Sequence, residues 1–239
     1  MEKVFGKHSV RAVFLTRPHA VRRVLIVAGE RSYTDEYIEM SRAAKVQPEL
    51  LPWKEFLRAG SLGDQDNHQG ICIFMDPREI FDEYDIPSLE NARAVLALDQ
   101  INDPQNLGAM LRNAAFFGVD AVMTLRNRAA EVTPTVARIA VGGAEFVKIF
   151  QVTNLARSLE KLKQLGFWVY GLDERGKKTL AETDFAEKAV FVVGAEGEGL
   201  RLRTTQFCDE LVRIPGGRPG LESLNAGVAS AVALAEFFR

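Results

Sequence analysis

Three stretches of the 239-residue chain combine reactive side chains with the glycines and turn residues that would present them. In Asp99-Gln-Ile-Asn102-Asp103-Pro104-Gln-Asn106-Leu-Gly108-Ala-Met-Leu-Arg112-Asn113, the Asp-Pro pair disfavours helix before it and Asn106 suits a helix N-cap. Arg112 then falls about two turns into a helix on which Asn106, Met110 and Asn113 share a face. Taken alone, this also fits an ordinary loop followed by a surface arginine. In Gly194-Ala-Glu196-Gly197-Glu198-Gly199-Leu200, the crowded glycines require a tight turn or admit a ligand against the backbone, and the carboxylates can accept hydrogen bonds from hydroxyl or amine donors. The third stretch runs from Ile214-Pro215 to Ser223-Leu224-Asn225, where Ser223 could equally be a simple helix cap.

Other chemistries fit less well. The glycines at 194, 197 and 199 are off the dinucleotide-binding spacing and do not follow the first strand, which disfavours a nicotinamide-dependent dehydrogenase. Glu196 and Glu198 are too close along the chain to flank a glycosidic bond. Gly171-Leu-Asp-Glu-Arg-Gly176-Lys177-Lys178 approaches a phosphate-binding glycine loop, but Lys178 stands where a magnesium-ligating hydroxyl belongs, so a nucleotide-binding enzyme is a distant third reading.

The elements that must position these residues are legible as apolar runs at 95–98, 119–124, 147–150, 167–172, 189–193 and 211–214, separated by helical patterns. Such runs imply a mostly parallel sheet covered on both faces, with ligands bound beyond the carboxyl ends of its strands. The closing helix, 226–238, is apolar on nearly every face and is expected in the core or between subunits. Before this lies a small α/β unit. Its expected parts are a helix through Val10, Val13 and Phe14, a strand at 24–28, a helix capped by Thr34, a short run at 49–51, a helix at 53–58 and a strand at 70–74. The acidic, proline-broken stretch 76–93 reads as a linker, giving domains 1–75 and 94–239.

With 47% hydrophobic and 26% charged residues, the chain can bury a full core and is neither disordered nor low-complexity. No run is long enough to span a membrane, and residues 1–11 lack the apolar core of a signal peptide, so a cytoplasmic location is expected. Cys72 and Cys208 form no CxxC pair and the histidines have no metal-ligand spacing, so no metal is expected. The net charge of −2 argues against a chain coated for nucleic acid. Residues 1–31 differ: Lys3, Lys7, Arg11, Arg17, Arg22, Arg23 and Arg31 face only Glu2 and Glu30, an excess of 7 − 2 = 5. Phosphate backbones attract such clusters, although charges also simply decorate solvated faces.

In order along the chain, the three stretches resemble the three motifs of the SpoU-type (TrmH-like) branch of the SPOUT RNA methyltransferases. The match is Asn106, Gly108 and Arg112; then Gly194, Glu196, Gly199 and Leu200; then Ile214-Pro215 with Ser223-Leu224-Asn225. Residues 4–10 and His68-Gln69-Gly70 look like the small ribosomal-protein-L30-like substrate-binding domain that many members carry. The resemblance implies an α/β fold with a trefoil-knotted, mostly parallel sheet, a homodimer, and S-adenosylmethionine-dependent methylation of a ribose 2′-hydroxyl, in ribosomal more than transfer RNA. It implies a catalytic set of Asn106, Arg112, Glu196, Ser223 and Asn225, and a cofactor held near Leu172, Gly194, Ile214 and Leu224. Lys7, Arg11, Arg22 and Arg23 would bind RNA. A non-catalytic RNA-binding protein that keeps the fold is the alternative. The stretch 216–222, with Arg218-Pro219, departs from many relatives by one extra residue and puts the cofactor loop in question.

Overall fold

A computed structural model describes residues 1–29, 34–63, 65–216 and 223–239. These form two units, Met1–Arg78 with Thr133–Phe146, and Glu79–Val132 with Val147–Arg239.

In the first unit, β1 (Glu2–Phe5), β2 (Val21–Val27), β3 (Glu49–Leu51) and β4 (Ile71–Met75) form one sheet in the order β1-β4-β2-β3. Only β2 and β3 run parallel. Successive side chains of a strand point to opposite faces, which gives the sheet two cores. Ile71, Ile73, Val24 and Ile26 pack under α1 (Lys7–Thr16) and α2 (Thr34–Ala43), while Cys72, Leu25 and Val27 pack under Phe56 of α3 (Trp53–Gly60). The strand β1 was absent from the sequence reading, because four half-buried residues give no apolar run. Thr34 is not a cap: it lies inside α2, and its buried hydroxyl finds no partner among the described residues.

The segment Thr133–Phe146 belongs to this unit, although the sequence places it among the strands of the other. It contains α5 (Pro134–Ile139) and the buried Glu145, whose carboxylate pairs with Arg17 at 3.0 Å and with Arg78.

In the second unit, β5 (Ala94–Asp99), β6 (Ala121–Leu125), β7 (Lys148–Val152), β8 (Trp168–Leu172), β9 (Lys178–Thr179), β10 (Ala189–Gly194) and β11 (Glu210–Arg213) pair in the order β7-β6-β5-β10-β8-β11-β9. Every pairing in this sheet is parallel. One face, including Val95, Val190 and Val192, packs on Leu155, Leu159 and Leu162 of α6 (Leu155–Gln164). The other is covered by α4 (Pro104–Phe117) and α8 (Ala226–Phe237), with Phe237 edge-on to Phe191 at 5.3 Å. The short α7 (Leu202–Thr205) follows β10.

The structure corrects the sequence reading at two points in this unit. The expected linker is partly core, since Ile86 and Leu89 are buried beneath α6. The linker reading weighed the acids and prolines of 76–93 and not its few apolar residues, which carry the packing. The glycine loop after β8 is no phosphate-binding loop: Asp173 and Arg175 pair with each other, and the chain continues into strand β9 rather than a helix. Of the two places expected for α8, core or between subunits, its own chain buries one side only and leaves Val228 and Val232 exposed. Among the described residues, no helix is long and apolar enough to cross a membrane.

Replacing Ile86 by alanine tests the linker correction. Loss of a fully buried isoleucine should cost about 2–4 kcal/mol, read as a lowered midpoint of thermal unfolding, whereas a solvated linker would tolerate it within about 0.5 kcal/mol.

Candidate active site

The neighbouring strands β5, β10, β8 and β11 all end at the same edge of the sheet, and the three stretches of reactive side chains lie just beyond those ends. Asp99, the last residue of β5, is opposite Gly194, the last of β10. Its fully buried carboxylate accepts from Arg201, at 2.8 Å from Nε and 3.2 Å from the backbone N–H. The carboxylate thereby closes the loop after β10 back onto β5. Within that loop Gly199 N–H donates to the Ala195 carbonyl at 2.9 Å.

Beyond β5, Asp103 caps α4, its carboxylate accepting from Gln105 N–H at 3.0 Å, and Pro104 takes the first helical position, where a missing N–H costs nothing. Asn106 is therefore not the cap. It sits in the first turn of α4, nearly buried, and uses both ends of its carboxamide. Its Nδ2 donates to Glu196 Oε2 at 3.1 Å, and its Oδ1 accepts from Asn225 Nδ2 at 2.8 Å. Asn225 in turn caps α8, its Oδ1 accepting from the N–H groups of Gly227 and Val228 at 2.9 and 3.3 Å. Ser223, offered by the sequence as that cap, is exposed and two residues too early. Asn113 completes the join by donating to the Gly227 carbonyl at 2.8 Å.

The structure thus brings Asn106, Glu196 and Asn225 together as one hydrogen-bonded group, at the meeting of three loops. Arg112 lies farther along α4 with an exposed side chain that makes no hydrogen bond or ion pair with any described residue. Leu172, Gly194 and Ile214 lie at or just after the ends of β8, β10 and β11, and the exposed Leu224 precedes α8. The departure at 216–222 falls on residues 217–222, outside the described residues apart from Gly216. Asp99 and Arg201 were missed as a pair. The only signal was an acid closing an apolar strand, where burial demands a partner. Burial pushes the thiols of Cys72 and Cys208 up to about 12, which keeps them from the thiolate form a nucleophile needs.

The proposed RNA-binding cations lie in the first unit. Arg11 pairs with Glu36 at 3.1 Å, Arg23 with Glu49 at 2.7 Å, and Arg22 with Asp76. Lys7 opens α1, and Arg31 lies outside the described residues. The two sequence signatures of this unit meet: Lys7 N–H donates to Gln69 Oε1 at 2.9 Å, and Gly6 N–H to the Ile71 carbonyl at 3.3 Å.

Residues 93–235 match the model of the SpoU rRNA Methylase family. The chain belongs to this family. Over its whole length it is 35% identical to the 23S rRNA (guanosine-2′-O-)-methyltransferase RlmB of Pseudomonas aeruginosa, covering 96% of that protein. It is 33% identical to the Escherichia coli protein of the same name, covering 98% of it. Among solved structures, the SpoU methyltransferase AviRb of Streptomyces viridochromogenes, in complex with AdoMet, superposes with a TM-score of 0.77 at 22% identity, covering 99% of this chain and 89% of that one. The SpoU fold therefore extends over both units.

The loop after β10 gives a test that separates two roles of glycine. A Cβ at Gly194 would lie 2.2 Å from backbone atoms of Gly199, whereas Gly197 has φ 82° and nothing described within 4 Å of the added atom. Gly194→Ala should cost about 3 kcal/mol through overpacking, and Gly197→Ala only about 1–2 through its left-handed backbone. Equal losses on thermal unfolding would show that close packing is not what fixes Gly194.

Proposed function

We propose that this protein is an S-adenosylmethionine-dependent methyltransferase that modifies a ribose 2′-hydroxyl of ribosomal RNA. The observation that carries the reading is the intact Asn106, Glu196 and Asn225 group, with Arg112 farther along the same helix, in a chain whose relatives of nearly equal length are named for that reaction. Those names point further to a guanosine of 23S rRNA.

The residues present fit the cofactor. Gly197 and Gly199 both have positive φ with open space where a side chain would stand, so their backbone is bare to an approaching ligand. Leu172, Ile214 and Leu224 supply apolar surface, and with Gly194 they would hold the cofactor largely through backbone groups. Its sulfonium, when bound, supplies the methyl group. The ribose hydroxyl must be positioned and must lose its proton as it attacks.

A guanidinium keeps its proton in proteins and offers only donors, so it is poorly suited to act as a base. Arg112 therefore acts by position and charge, holding the RNA phosphate and the developing alkoxide while the proton leaves to water or phosphate. Asn106 and Asn225 hold Glu196, and with the exposed Ser223 they would order the ribose.

In this reading the C-terminal segment passes through a loop to form a trefoil knot, supported by the adjacency of β8 with both β10 and β11. Two copies associate through α4 and α8, which leave Phe116 82% exposed and Val228 50% exposed. The first unit, an L30-like domain, binds RNA through Lys7, Arg11, Arg22 and Arg23, whose surface ion pairs are weak enough to yield to phosphate. The reading calls for no metal and keeps the cytoplasmic location expected from the sequence.

Calorimetric titration should show micromolar binding of S-adenosylhomocysteine. Arg112→Ala should abolish methyl transfer to unmodified 23S rRNA while leaving that affinity within about threefold. Unimpaired transfer would remove Arg112 from the mechanism, and absence of cofactor binding by the wild-type protein would sink the reading.

A further inference from the structure

In the second unit, the non-glycine residues described with left-handed backbone are Gln100, at φ 60°, and Arg128, at φ 58°. Each such residue costs of order 1 kcal/mol and persists where the surroundings impose it, commonly at functional sites. Both stand at the edge of the sheet where the candidate site lies, in the loops that follow the adjacent parallel strands β5 and β6. The two loops are joined, since Ala130 N–H donates to the Ile101 carbonyl at 2.8 Å.

At its other end the second loop is anchored by Arg126 N–H, which donates to the Val152 carbonyl at 2.9 Å. Between these anchors Arg126, Asn127 and Arg128 are all exposed. Neither guanidinium makes a hydrogen bond or ion pair with any described residue, although Arg126 is near enough to Glu83 to help hold that carboxyl below its ordinary range. Arg201 pairs with Asp99, Arg175 with Asp173, and Arg93 lies over the rings of Phe237 and Phe238. The exposed Arg157 of α6 and Arg203 of α7 also lack a side-chain partner among the described residues, and what sets Arg126 and Arg128 apart is their pinned loop at this edge of the sheet. Arg126 and Arg128 thus share with Arg112 the condition of an unsatisfied fork of donors. The loop that holds them is pinned to the one that leads, two residues after Ile101, into the cap of α4.

We infer that Arg126 and Arg128 form a phosphate-binding rim that receives the RNA strand beside the methyl-transfer site. The rim rests on the methyltransferase reading and adds to it an RNA contact within the second unit, separate from the basic residues of the first. A guanidinium fork matches two phosphate oxygens, and a contact fixed by the backbone loses little freedom when RNA arrives. The left-handed backbone of Arg128 sets only where its side chain leaves the loop.

The test is a double variant, Arg126→Gln with Arg128→Asn, chosen because asparagine tolerates the left-handed region. Binding to an unmodified full-length 23S rRNA transcript is measured from low to moderate salt. Two lost phosphate contacts should lower the slope of log affinity against log salt by about 1.4 to 1.8, with affinity near 0.1 M salt down about tenfold or more. Affinity for S-adenosylhomocysteine, the unfolding midpoint and the transfer rate at saturating RNA should stay within about threefold or a degree or two of the wild type. An unchanged salt slope and RNA affinity would overturn the rim while leaving the methyltransferase reading intact. A wild-type protein that binds no cofactor and transfers no methyl group would overturn that reading, and the salt slope would still decide the rim.

Discussion

Asn106 has one amide, and three loops depend on it. Its N–H end holds Glu196 from the loop after β10, and its carbonyl end holds Asn225, which is itself the cap of α8. Neither partner could be replaced by water without loosening a helix terminus or a glycine-rich loop. Because an amide offers donors on one side and an acceptor on the other, no acid or amine of the same size could make both bonds. The rest of the second unit serves this junction. Parallel strands bring the loops to one edge, Asp103 and Pro104 fix where α4 begins, and the Asp99–Arg201 pair closes the glycine loop beneath Glu196.

The glycine loop shows how close packing takes over where side chains stop. Gly194 lets the backbone of Gly199 and Leu200 lie against the end of β10, closer than any side chain would allow. A loop built so tightly has few conformations to lose when a ligand settles on it, which suits a site that binds mainly through backbone groups.

Much of this arrangement was legible in the sequence, and the reasons for the rest are physical. Fully apolar strands in the second unit announced a parallel sheet covered on both faces, and the order of the three motifs announced its chemistry. The N-cap of α4 was misplaced because Asn106 and Asp103 are both good caps, and the proline that decides between them was weighed only as a turn signal. The basic character of residues 1–31 was overstated for a different reason. Counting charges along the chain cannot see that Arg11, Arg17, Arg22 and Arg23 meet Glu36, Glu145, Asp76 and Glu49, most of them far away in sequence. A helix as uniformly apolar as α8 carries no record of which side faces its own chain.

The discontinuity of the first unit reaches beyond static structure. Because Thr133–Phe146 supplies α5 and the buried Glu145, the chain crosses between units after Arg78, Val132 and Phe146. During synthesis the first 78 residues leave the ribosome with Arg17 and Arg78 lacking their shared carboxylate, which arrives only after β5 and β6 have been made. The N-terminal unit therefore cannot finish folding when its first 78 residues emerge, and its completion waits on a stretch of the chain whose neighbours on both sides belong to the other unit. A truncation at the apparent boundary would leave each half holding a surface that the other half's sequence was meant to cover.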